Sequence, residues 1–292
     1  MKELKISRFS IDMCNTQTLY KGMTLTLYGG ARMKIRYVVS TMAFWGKQSR
    51  LSLEQECDLL RTLGLGVELW PNLGGLDECR YDKRDWPRLV AATEGMLVSM
   101  RSRNDNPSIE QWAEQIGCAK LLKANIVADL QSLRMQGKNS DDGDFIGEVV
   151  GMAKDEGVKL CIETGPLDML RDIGGRFKSI WYCLDTGYAR CDAEHSFNEY
   201  VDTLAKRTAH LHLTDHNGSC DDHRPLGCAS GANHNDFDYL LESLKKYNND
   251  VIASLEMTPC TPVEMIKRSS YFLFDVLGWP NRPQKPADSH HH

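Results

Sequence analysis

Eight times between residues 34 and 278, a short apolar run rich in β-branched and aromatic residues gives way to a longer stretch with helical spacing of its apolar positions. That order calls for parallel strands joined by crossover helices, since antiparallel neighbours would need only tight turns between them. Strands are predicted over residues 34–40, 66–70, 96–101, 121–125, 158–163, 179–185, 209–214 and 251–256. Helices are predicted over 51–63, from Asp85 onward, and over 109–116, 144–155, 166–170, 197–205, 237–247 and 263–277. Eight such units match the roughly 250 residues of one closed (β/α)8 barrel. An open doubly wound sheet would carry a glycine-rich phosphate turn after its first strand, and none follows Ser40. The expected fold class is therefore α/β, a single TIM barrel forming a catalytic domain over residues 33–280.

Residues 1–32 form an N-terminal extension. Met23 to Arg36 alternates around Gly29-Gly30 as a β-hairpin would, unless Met33 is the natural start. Residues 281–292 are a tail whose His290, His291 and His292 resemble a partial purification tag. Composition narrows the partners. With 40 acidic against 35 basic side chains, a net charge of -5 and no run of Lys or Arg, the chain lacks the basic stripe that nucleic acid requires. No apolar run reaches the ~18 residues of a membrane span. The 10 cysteines include no C-x-x-C pair, so reduced thiols in a cytoplasmic protein are expected rather than disulfides or a zinc cluster.

A barrel of this kind places its chemistry at the C-terminal ends of its strands. The last four predicted strands end in Glu163, Asp185, His212 and Glu256, each one βα unit after the last. Charged groups among β-branched, aromatic and small residues are costly unless paired or bound to metal. Three carboxylates and one imidazole on a single rim suit one divalent cation, Mn²⁺ first, with Mg²⁺, Co²⁺ or Zn²⁺ as alternatives. Strand parity places Cys161, Cys183, His210 and Ser254 one layer below, and all four are small or polar, as the layer beneath a hydrated cation requires.

These residues carry a resemblance. Ile162-Glu163-Thr164-Gly165, Cys183-Leu184-Asp185-Thr186-Gly187-Tyr188-Ala189, His210-Leu211-His212-Leu213-Thr214-Asp215 and Ser254-Leu255-Glu256 resemble the four metal-ligand motifs of the xylose-isomerase-like TIM barrels. That superfamily includes sugar phosphate isomerases and epimerases, ketose 3-epimerases, hydroxypyruvate isomerases, inosose dehydratases and abasic-site endonucleases. Asp221 to Gly227, then Gly231 and Asp236-Phe237, are similar to its loop after strand seven. The resemblance is strongest over residues 158–258. Two departures matter: Tyr188 stands where the family commonly has His, and no histidine precedes His195, so the early ligands of a trinuclear zinc nuclease site are missing.

The resemblance implies an epimerase or isomerase of a ketose or keto-sugar derivative. One divalent metal would lower the cost of an enediolate, and Glu163 and Glu256 would exchange the carbon-bound proton from opposite sides. Asp185 and His212 would complete the metal site. An inosose-type dehydratase on the same site and a non-catalytic sugar-binding protein are the alternatives. Expected substrate contacts are Tyr188, His216, His223 and Arg224, with Trp45 and Trp70 as an apolar wall. His210 is expected in the pocket too, holding a carboxylate or the His212 ring. Glu68, Arg101 and Lys123 lie at early strand ends, where a structural role is equally expected. A homodimer is the expectation by analogy with such barrels.

Overall fold

The structure, a computed structural model, describes residues 33–45, 51–71, 81–103, 106–130, 132–133, 142–216, 219–228 and 234–284. Eight parallel strands close a barrel in chain order: β1 (Ile35–Ser40), β2 (Gly66–Leu69), β3 (Val98–Arg101), β4 (Asn125–Ala128), β5 (Leu160–Glu163), β6 (Trp181–Asp185), β7 (Thr208–Leu213) and β8 (Val251–Leu255). β8 closes on β1, pairing Val251 with Ile35 and Leu255 with Val39. The expected barrel is thereby confirmed. The proposed hairpin at residues 23–36 falls largely outside the described residues, as does the tail beyond residue 284.

The helices are α1 (Leu53–Thr62), α2 (Trp86–Ala92), α3 (Ile109–Leu122), α4 (Asp142–Asp155), α5 (Leu167–Arg176), α6 (Thr186–Cys191), α7 (Phe197–Leu204), α8 (His234–Tyr247) and α9 (Val263–Tyr271). Ser52, Ser108 and Ser196 start α1, α3 and α7 with reciprocal side-chain caps to Gln55, Gln111 and Glu199. Each cap satisfies backbone N–H groups that the helix leaves without partners, worth about 1 kcal/mol. Apolar faces of the helices pack on the outer wall of the barrel, around Leu60, Trp112, Val149, Leu170, Tyr200 and Leu240.

Of the boundaries that differ from the sequence expectation, two are at helix ends that the residues explain. The strand predicted over residues 121–125 begins only at Asn125, because Leu121 and Leu122 complete α3 and Lys123 ends it in a left-handed turn (φ 54°). Lys123 is therefore a helix cap, not a strand end. α5, expected to reach Leu170 or slightly beyond, runs on to Arg176, since Ile173 and Gly174 continue its buried face.

Inside the barrel, the usual filling of branched aliphatic side chains is partly replaced. Val127, Cys161, Cys183 and Ala209 form a small apolar cluster of their own. Glu68, Ser99, His210 and Ser254 are fully buried as well. Gly66, at the start of β2, packs so closely on the residue before β3 that a Cβ there would overlap the Leu97 carbonyl oxygen. The described cysteines carry free thiols. Among the described residues, no helix is long and apolar enough to cross a membrane.

Candidate metal centre

Glu163 and Asp185 are the last residues of β5 and β6, His212 lies one short of the end of β7, and Glu256 follows β8 directly. The ladder sets Asp185 beside His212 and His212 beside Ser254, so the side chains rise on one rim. Their local sequences explain how the rim is held. In Glu163-Thr164-Gly165 and Asp185-Thr186-Gly187 the acid ends the strand and the threonine ties it to the next one. Thr164 Oγ1 donates to the Cys183 carbonyl at 3.0 Å and accepts from the Asp185 N–H at 2.8 Å. Thr186 Oγ1 in turn accepts from the Thr214 N–H at 3.1 Å. The glycine then admits a neighbour: a Cβ at Gly187 would overlap the Asp221 carboxylate and the Thr214 hydroxyl.

The four side chains converge. His212 Nδ1 lies 2.7 Å from Glu163 Oε1, 2.8 Å from Glu256 Oε2 and 3.7 Å from Asp185 Oδ2. One ligand atom from each of the four lies within 4.8 Å of the others. Asp185, His212 and Glu256 are almost wholly buried, while 14% of the Glu163 side chain stays open to solvent. Asp185 divides its oxygens: Oδ1 accepts the Gly187 and Tyr188 N–H groups at the start of α6, leaving Oδ2 toward the cluster. Glu256 Oε2 is buried with no directed hydrogen bond among the described residues. Three carboxylates around one imidazole, with a carboxylate oxygen left over, fit a divalent cation with oxygen and nitrogen ligands.

The three carboxylates dominate the electrostatics of the cluster. Burial alone would lower the His212 proton affinity, but the Glu256 and Glu68 carboxylates and a hydrogen bond to Asp185 hold it well above the ordinary imidazole range. Glu163 moves the opposite way. Burial would raise its carboxyl, yet the charges of Arg101 and His212 bring it down to about 2. Arg101 Nη1 sits 2.6 Å from Glu163 Oε1 in a largely buried ion pair, and its guanidinium lies over the Trp70 ring, 4.8 Å from the centroid.

Sequence reasoning left Glu68 and Arg101 undecided, and the structure joins both to the cluster. Glu68 lies below it, with Oε2 2.8 Å from His210 Nε2 and Oε1 3.3 Å from His212 Nε2. His210 therefore lies against the Glu68 carboxylate. The signal available in the sequence was a lone charge of inward parity in each early strand.

The expected substrate contacts separate. Trp45 and Trp70 meet edge to face at 5.3 Å, and Trp70 carries Arg101, so this wall adjoins the cluster. Tyr188 is half-buried on α6 next to Asp185 and packs on Tyr200. His223 Nδ1 lies 3.1 Å from Asp221 Oδ1, and with Asp185 the two form a further group of convergent ligand atoms. Burial works against protonation of His223, but Asp221, Glu256 and Asp185 raise it to about 10. Arg224 turns aside: its Nε is 2.6 Å from Asp222 Oδ2, and its backbone pairs with Asp215. His216 is buried beside Asp215, whose Oδ1 accepts its backbone N–H, and lies outside the four-residue cluster.

Comparison with known proteins agrees with this fold. A family profile described as "Xylose isomerase-like TIM barrel" matches residues 96–275. Among solved structures, a D-tagatose 3-epimerase-like protein aligns at TM-score 0.64 and 17% identity, covering 83% of this chain and 97% of its own. The apo form of 3-keto-D-glucoside 4-epimerase from E. coli aligns at TM-score 0.60 and 14% identity, covering 83% and 100%. Endonuclease IV from Thermus thermophilus also aligns, at TM-score 0.54 and 15% identity, covering 82% and 99%. No curated protein matches by sequence.

Proposed function

Because this chain belongs to the xylose isomerase-like TIM barrel family, we propose that it is a divalent-metal-dependent epimerase or isomerase of a ketose or keto-sugar derivative. The observation that carries this reading is the convergence of Glu163, Asp185, His212 and Glu256 on one buried point. Epimerases among the structures it resembles support the same direction. Glu163, Asp185, His212 and Glu256 would hold the cation, Mn²⁺ by preference for this donor set. When bound, it would supply Lewis-acid stabilisation of charge developing on a substrate oxygen.

The protein's own residues divide the remaining work. Glu163 and Glu256 stand three strands apart around a barrel of eight, so they can address a substrate carbon from two sides. Arg101 favours the charged form of Glu163, and Glu256 Oε2, 2.8 Å from His212 Nδ1, has no directed hydrogen bond among the described residues and can accept a proton. Trp70 and Trp45 give a sugar an apolar edge and keep water from that side. Tyr188 can meet a sugar hydroxyl, and His223, grouped with Asp185 and Asp221, is the residue of the loop after β7 placed nearest the cluster.

Incubation with Mn²⁺ and a ketose panel in D₂O tests the reading: deuterium should enter one substrate carbon. A β-elimination at the same site would instead give an enone with ultraviolet absorbance, and neither change across a broad panel would refute both. Metal binding should also depend on pH. The surrounding carboxylates favour the protonated form of His212, and a ligating Nδ1 must carry no proton, so protons and metal compete. Affinity for Mn²⁺ should fall about tenfold for each pH unit below the His212 value. Calorimetric titrations at about pH 6, 7 and 8 would reveal the slope; a flat profile would exclude His212 as the ligand.

A further inference from the structure

A single carboxylate joins four strands inside the barrel. Glu68, on β2, is fully buried and receives Ser99 Oγ of β3 at 3.4 Å and Ser254 Oγ of β8 at 3.2 Å. His210 Nε2 and His212 Nε2, both on β7, approach it at 2.8 and 3.3 Å. The two hydroxyls donate, and each imidazole can do so when its Nε2 carries the proton, so both carboxylate oxygens face groups able to satisfy them.

His212 thus has two distinct edges. Its Nδ1 faces Glu163 and Glu256, and its Nε2 faces Glu68. An imidazole can give one nitrogen to a metal only if the proton sits on the other, and the partner of that other nitrogen fixes both ring angle and tautomer. We propose that Glu68 is the positioning residue of the metal centre, accepting the Nε2 proton of His212 so that Nδ1 is presented to the cation. His210, Ser99 and Ser254 serve the same end by locking the Glu68 carboxylate in place. The inference rests on the proposed metal centre but not on the identity of any sugar.

Glu68→Gln is the informative substitution, since it preserves shape and removes one acceptor oxygen. The new amide NH₂ must face a donor, either His210 and Ser99 or His212 and Ser254. Titration with Mn²⁺ in the absence of sugar should give about a 10–100-fold loss of affinity, while thermal unfolding of the metal-free protein shows the variant to be folded. Unchanged affinity in a folded variant would overturn the proposal. The wild-type protein supplies a second readout that needs no variant: in the Mg²⁺-loaded state, ¹⁵N-detected spectra of the His212 ring should show a proton on Nε2 and none on Nδ1. A proton on Nδ1 would overturn it equally, whether or not any ketose is ever turned over.

Discussion

Glu256→Gln should reduce solvent deuterium incorporation into the substrate by about 10²–10⁴-fold, the range that a positioned general base contributes. Glu256 lies against His212 Nδ1 at 2.8 Å, with Oε2 free of any directed hydrogen bond among the described residues. The amide keeps the volume and removes the basic oxygen. Glu163→Gln should fall in the same range for the opposite face, so the two variants should differ in which direction of epimerisation retains its primary isotope effect. Both residues are also proposed ligands, and the assay belongs at saturating Mn²⁺ with bound metal measured alongside. A fully metal-loaded Glu256→Gln protein that exchanges deuterium within about threefold of wild type would remove Glu256 from the proton transfer.

Arg101→Met should be the most destabilising change at the rim, and its effect should depend on metal. The Arg101 and Glu163 side chains are only 10% and 14% exposed, and their 2.6 Å pair leaves Glu163 without its guanidinium when Arg101 is removed. Breaking a buried pair from one side typically costs about 3–5 kcal/mol. For a chain of this length that amounts to a Tm lower by roughly 10 °C in the metal-free protein. A bound divalent cation would restore positive charge beside Glu163, so the deficit should shrink in the loaded protein. Equal losses with and without Mn²⁺, read by differential scanning calorimetry, would place the pair outside the influence of the metal.

The barrel was legible because its strands alternate with helices at regular spacing, and the later rim was legible because four consecutive strands end in side chains able to ligate a cation. Thr164 and Thr186 add a reason visible only in three dimensions, since each ties its strand to the next. The fourth strand misled. Leu121-Leu122 reads as the opening of an apolar run, yet Leu121 is half exposed and both residues finish α3 before Lys123 turns the chain. Glu68 and Arg101 stayed ambiguous because a lone charge in a strand acquires meaning only from its partner. For Glu68 that partner, His212, lies 144 residues away across the barrel. Arg224 misled the other way: its charge lies in the right loop but is spent on Asp222.

The most direct test is equilibrium binding of Mn²⁺ to the wild-type protein and to Asp185→Asn and His212→Ala variants, each first shown to be folded. The expected result is one equivalent of metal per wild-type chain, with affinity sharply reduced in both variants. A wild-type chain that binds no divalent metal, or variants that bind it as tightly as wild type, would contradict the assignment of Glu163, Asp185, His212 and Glu256 as the metal centre.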